Sequence, residues 1–127
     1  MRRLNRDAAV IAARFGLRYR SIEAESARVK RRFGICYSDG TIRIRLRHAV
    51  TRKPLKYSSL VSTLCHELAH LQHFDHGAGF QSFYAAILEY ARDQGIYRPR
   101  SRSAAPIFLG EATREPVDRA PQQLSLF

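Results

Sequence analysis

The sequence predicts a small α+β fold on three observations. Apolar residues recur at helical spacing in three stretches, near 5–15, 58–73 and 80–95; they alternate with polar residues at period two in two runs between 27 and 47; and Asp39-Gly40, a hairpin signal, separates those runs. At 127 residues the chain has room for one compact domain and a tail, and a core of that size needs no disulfide staples.

In the first stretch Ala8, Ala9, Val10, Ile11, Ala12 and Phe15 mark an amphipathic helix, with Asn5 as its expected N-cap and Gly16 as its stop. Two strands are expected next, over 27–37 and 41–47. The second is the clearer: Ile42, Ile44 and Leu46 alternate with Arg43, Arg45 and Arg47, so three apolar side chains point one way and three guanidiniums the other. Arg28, Lys30 and Arg32 repeat the alternation on the first strand. Joined at Asp39-Gly40, the strands make an antiparallel hairpin, or a small antiparallel sheet, with two rows of cations side by side on its outer face. Such crowding costs stability and is easier to understand if an anion binds there, so these six residues are the candidate DNA contacts.

Pro54 ends a polar linker, after which Ser58 or Ser59 can cap a helix whose apolar positions Leu60, Val61, Leu64, Cys65, Leu68 and Leu71 carry it to about His73. Gly77 and Gly79 mark a tight loop, and Phe80, Phe83, Tyr84, Ile87, Leu88 and Ala91 define a last helix ending near Gly95. The domain is expected over 1–97. Prolines 99, 106, 116 and 121, with the linker-like run 101–105, make 98–127 a mostly disordered tail.

Charge is the unusual feature of the composition. The net charge is +11, and residues 1–57 carry all of it, with sixteen Lys or Arg against four Asp or Glu. A one-sided basic surface attracts polyanions by neutralising phosphates and releasing counterions, so nucleic acid, DNA above all, is the leading expected partner and an anionic membrane surface the second; a merely solvated face is the alternative. No apolar run approaches the ~18 residues of a membrane span, so nothing is expected to cross a bilayer and no membrane is assigned as partner. Two cysteines, Cys36 and Cys65, are too few for a disulfide framework and read as buried thiols in a reducing compartment.

The chemistry lies in His66-Glu67-Leu68-Ala69-His70, an H-E-x-x-H motif within a stretch that reads independently as helix. One turn separates the imidazoles, so both face a single Zn2+, and Glu67 projects where a general base could take a proton from the attacking water. A catalytic zinc needs a third protein ligand and an open position. His76 follows in the turn-forming loop Asp75-His76-Gly77 and can approach from outside the helix axis. The rival, His73, would require three ligands spread over about 10 Å of one straight helix at ~1.5 Å per residue, too far for one ion. Tyr84 and Tyr90 are candidates for stabilising an oxyanion, with core packing as the alternative.

The run His66 to Leu71, followed by His76 and Phe80, resembles the bacterial YgjP-like metallopeptidases and the related WLM and SprT-like (Spartan-type) proteases, and the likeness extends upstream through Gly34-Ile35-Cys36, over roughly 28–97. The resemblance implies a compact gluzincin-like zincin fold, a zinc ligand set of His66, His70 and His76, and catalysis by Glu67. WLM and Spartan-type members degrade proteins crosslinked to DNA, so it also implies protein substrates on DNA; YgjP-like members leave the substrate open.

A second resemblance is independent of the first. Gln123-Leu124-Ser125-Leu126-Phe127 is similar at every position to the pentapeptide by which bacterial polymerases and repair proteins bind the DNA sliding clamp. Chance produces such a match about once per million positions at average residue usage. The expectation is therefore a cytoplasmic, nucleoid-associated zinc protease recruited through the clamp. The alternatives are a metallopeptidase with a non-DNA substrate, and a non-catalytic zinc-containing DNA or clamp adaptor.

Overall fold

A computed structural model describes residues 1–26, 28 and 31–99. The element order is α1 (Arg2–Phe15), β1 (Ser21–Ala24), β2 (Gly34–Cys36), β3 (Thr41–Ile44), α2 (Tyr57–His70) and α3 (Ala78–Asp93).

Helix α1 starts four residues earlier than the Asn5 cap allows, at Arg2. Leu4 and Asp7 are both buried on its inner face, and Asn5 lies inside the first turn, where its side-chain amide donates to the Met1 carbonyl. Asp7 accepts a 2.5 Å hydrogen bond from the Tyr57 hydroxyl, tying α1 to the start of α2. Gly16 ends the helix as expected, in the left-handed conformation that glycine tolerates.

Strands β2 and β3 form the expected antiparallel hairpin, with Cys36 opposite Ile42 and Gly34 opposite Ile44. The turn is closed by Tyr37 N–H donating to Thr41 and Gly40 N–H to Tyr37. The sheet has a third strand that the sequence reading lacked: β1 pairs parallel with β3, making β3 the central strand of the order β1-β3-β2. In so short a strand only Ile22 faces the core, too weak a period for detection.

Among the described residues, the first strand of the hairpin covers only Gly34–Cys36 of the expected 27–37. Ladder contact ends where Arg45 N–H donates to the Phe33 carbonyl, and Arg32 is drawn aside to Glu25. Arg28 lies in a turn, its N–H bonded to Ser26 Oγ. Two parallel rows of cations therefore do not form among the described residues; the partner beside Arg43 on the outer face is Ile35 on one side and Glu23 on the other.

Ile22, Cys36, Ile42 and Ile44 are buried from the sheet, and Leu64, Cys65 and Leu68 are buried from α2. Helix α2 is the centre of the molecule. All ten residues from Val61 to His70 are buried, because α2 touches α1, α3, β2 and β3 at once. Both cysteines are buried in this core and form no disulfide.

Candidate metal centre

A helix buried all round normally lacks polar side chains, yet α2 buries Ser62, Thr63, His66, Glu67 and His70. Unpaired polar groups in such a place are costly, so each needs a partner or a use. Ser62 Oγ and the Tyr84 hydroxyl share a 2.8 Å hydrogen bond, which locks α2 to α3. Thr63 packs its methyl against Gly34. A Cβ at Gly34 would lie 2.7 Å from Thr63 Cγ2 and 3.2 Å from Glu67 Cγ, so only glycine lets β2 come this close.

The other three belong to one cluster. His66 and His70 face the same side of α2, and His76 returns to them on the following loop. That loop forms because α2 stops at His70 rather than near His73. The Leu71, Gln72 and His73 amides tighten onto carbonyls of Leu68 and Ala69, which frees the His73 carbonyl. Asp75 Oδ1 then accepts from Gly77 N–H and turns the chain into α3. The ligand-competent atoms of His66, His70 and His76 all lie within 4.8 Å of one another.

Hydrogen bonds decide which nitrogens face inward. His70 Nδ1 is 3.0 Å from the His73 carbonyl, to which it can only donate, leaving Nε2 with a free lone pair. That Nε2 stands 2.9 Å from Nε2 of His76. His66 Nδ1 lies 3.3 Å from Glu67 Oε2, while His66 Nε2 and Glu67 Oε1 are buried without a partner. Phe80 packs on all three rings, at 4.9, 4.6 and 5.0 Å between centroids.

Burial holds His66 down at about 3 and His70 and His76 at about 4, so all three imidazoles are neutral near neutral pH. Burial raises Glu67 to about 7, against the pull of His70 and His76. Three neutral imidazole nitrogens converging on one point, one of them an orphan, match the donor set of a metal ion. His66, His70 and His76 would hold such an ion, which would act there as a Lewis acid.

His73 turns away, its ring at 5.5 Å from Phe83 and against Gly79. Tyr84 is buried with its hydroxyl bonded to Ser62, and the Tyr90 ring packs edge-on against Phe15. Cys65 stays in the core, outside the cluster. Two features escaped the sequence reading. Gly34 was legible in principle, since glycine inside a strand signals close approach. The Glu25–Arg32 pair, partly buried and 3.0 Å long, had no local signal, yet both charges act on Glu67.

Of the basic residues expected on DNA, Arg43 pairs with Glu23 at 3.3 Å, Arg45 lies over the Phe33 ring, and Arg47 donates to the Arg52 carbonyl. Lys30 and the 123–127 pentapeptide lie outside the described residues. No described helix is long and apolar enough to cross a membrane.

A short mixed sheet over a buried helix carrying H-E-x-x-H, with a third histidine on the next loop, defines a zincin-type metallopeptidase domain. The chain belongs to the YgjP-like metallopeptidase domain family, whose model matches residues 1–95. Among solved structures, the chain is similar to Wss1 from Saccharomyces cerevisiae, at TM-score 0.65 and 16% identity over 72% of this chain and 76% of that one. A mutant of the same yeast protein matches at TM-score 0.65 and 16% identity, over 74% and 79% of the two chains. A comparison with curated proteins finds no match.

Proposed function

We propose that the chain is a zinc-dependent endopeptidase that cleaves proteins on or crosslinked to DNA, with His66, His70 and His76 as zinc ligands and Glu67 as general base. The observation that carries the catalytic part is the pair of orphaned buried atoms, His66 Nε2 and Glu67 Oε1, beside two further inward-facing nitrogens. A zinc ion held there would polarise the scissile carbonyl and acidify a water. Glu67, raised to about 7, is matched to accepting a proton near neutral pH and returning it to the leaving amine. Oε2, near His66 Nδ1, holds the carboxylate in place and leaves Oε1 for the proton. The adaptor alternative gives Glu67 no role, and a buried carboxylate with an unsatisfied oxygen is a costly thing to keep without one.

The DNA part is supported by the charge asymmetry of the sequence and by the WLM and SprT-like resemblance. Arg28, Arg43, Arg45 and Arg47 remain proposed DNA contacts, with Lys30. Arg32 fits the role poorly, since its guanidinium is held by buried Glu25. The tail, proposed as 98–127, would deliver the protease to the sliding clamp through Gln123, Leu124, Ser125, Leu126 and Phe127, raising its concentration at replicating DNA in the nucleoid. Cleavage of a DNA-binding protein by zinc-loaded enzyme, with and without DNA, tests the substrate. Stimulation by DNA is expected; equal cleavage without it would favour a non-DNA substrate. Replacing Leu126 and Phe127 with Ala should abolish clamp binding with zinc content unchanged, and binding that survived would remove the clamp from the account.

A further inference from the structure

At the end of α2 away from the metal cluster, three segments distant in sequence meet around a second cavity. The start of α1, the start of α2 and the chain just after α3 enclose about 240 Å³, lined by Arg3, Lys56, Tyr57, Ser58, Ile96 and Arg98. Three of these residues are cations and none is an acid. Among the described residues no carboxylate pairs with Arg3, Lys56 or Arg98. Asp7, one turn beyond Arg3 on α1, is engaged by the Tyr57 hydroxyl and by Arg6 at 3.7 Å.

Both guanidiniums are held in place. Arg3 lies 3.8 Å over the Tyr57 ring, and Arg98 Nε donates to the Gly95 carbonyl at 3.0 Å. Gly95 has φ 75, and a Cβ on it would stand 2.9 Å from Arg98 Nη2, so glycine both makes the turn and clears the guanidinium's place. The cations also run against the helix dipoles. Arg3 lies in the first turn of α1 and Lys56 is the N-cap of α2, and neither helix has an acid in its first turn. Positive charge at a helix start is unfavourable, so this placement costs stability unless an anion offsets it.

We propose that this cavity binds a dianionic phosphate group, the terminal phosphate of a monoester. The chemistry of the wall selects it. A carboxylate or a phosphodiester brings one charge and two free oxygens; a monoester brings about two charges and three free oxygens, one for each of the cations on the three segments. Ser58 adds a hydroxyl donor, and Ile96 gives the esterified group an apolar surface. The site is separate from the metal cluster and from the proposed DNA contacts. An occupied site would brace α1, α2 and the segment after α3 against one another.

The dianion can belong to a free phosphorylated molecule or to the 5′ end of a DNA strand, and the test separates the two. Binding to the full zinc-loaded chain is measured at constant ionic strength with inorganic phosphate, with adenosine 5′-monophosphate, and with one oligonucleotide carrying either a 5′-phosphate or a 5′-hydroxyl; acetate is the comparison anion. Arg3→Gln/Arg98→Gln is set against Arg2→Gln/Arg18→Gln, which removes the same charge from exposed positions outside the cavity. Melting temperature and zinc content confirm that each variant is folded. The wild-type chain should bind phosphate about tenfold or more tighter than acetate, and the cavity variant should lose about tenfold or more, against less than about threefold for the control. A loss seen with phosphate and adenosine monophosphate supports the site and assigns it to small molecules. A loss seen only as a vanished preference for the phosphorylated oligonucleotide over its hydroxyl twin supports it and assigns it to strand ends. If Arg98→Gln disturbs the turn at Gly95, Lys56→Gln alone should still weaken phosphate binding more than the control does. Equal losses in cavity and control variants would overturn the site and leave only net charge at work. Binding undiminished in the cavity variants would put the phosphate elsewhere, the zinc included, and overturn it too, as would equal affinity for phosphate and acetate. None of these outcomes bears on the protease reading, which is tested separately at Glu67.

Discussion

Helix α2 and the 47–54 loop are opposites in how they hold charge. In and just beyond α2, Glu67 and the imidazoles of His66, His70 and His76 are packed into the core or against it, and burial shifts their protonation. In the loop, Arg47, Arg52 and Lys53 are exposed to water. Chemistry on a peptide bond needs the first arrangement, because fixed groups in a dry site act more strongly on a developing charge. Capture of a polyanion needs the second, where counterions can be released.

The comparison can be broken first at the third ligand. His76→Ala should lower zinc affinity by more than about 100-fold, a larger loss than removal of an outer hydrogen-bond partner causes, whereas His73→Ala should leave zinc stoichiometry unchanged. Competition with a chromophoric chelator measures both; equal losses would return His73 to the ligand set. Next in size is the contact that positions Glu67. Gly34→Ala forces a Cβ against Thr63 and Glu67 and should destabilise the fold by about 1–3 kcal/mol in urea titration.

The buried cluster also predicts how the metal-free chain responds to pH. His66, His70 and His76 titrate at about 3, 4 and 4 when folded and near 6.5 when unfolded, so as pH falls below 6.5 the unfolded chain takes protons that the folded chain refuses, and stability drops. Glu67 works oppositely: between 4.5 and about 7 the folded chain holds a proton that the unfolded chain has released, so its contribution falls as pH rises. Three groups oppose one. With chelator present, the melting temperature should therefore fall between pH 6.5 and 4.5; a rise would show the imidazoles to be less buried than the structure has them. The smallest effect belongs to the exposed surface, where Arg43→Ala, breaking the half-exposed pair with Glu23, should change stability by less than about 1 kcal/mol.

The same contrast explains what was legible in the sequence. His66, Glu67 and His70 could be read because four-residue spacing on a helix is a local rule, and His76 because a tetrahedral ion cannot take three ligands from one straight helix. The hairpin was legible through Asp39-Gly40. Strand β1 was not, since its place beside β3 depends on a parallel pairing twenty residues away. The expected rows of arginines failed for a related reason: alternation predicts which way Arg43 points, but Glu23 and Ile35 arrive beside it from other strands. Helix ends were displaced by tertiary demands, α1 lengthened by the burial of Leu4 and α2 shortened by the carbonyl of His73 that His70 requires.

The most direct test of the central claim is peptide-bond cleavage by wild-type chain and Glu67→Gln, each with its zinc content measured. The account predicts full zinc in both and a loss of activity of about 10²–10⁴-fold in the variant. Unchanged cleavage by a fully zinc-loaded Glu67→Gln chain would contradict it, because the buried carboxylate beside His66 would then have no part in catalysis.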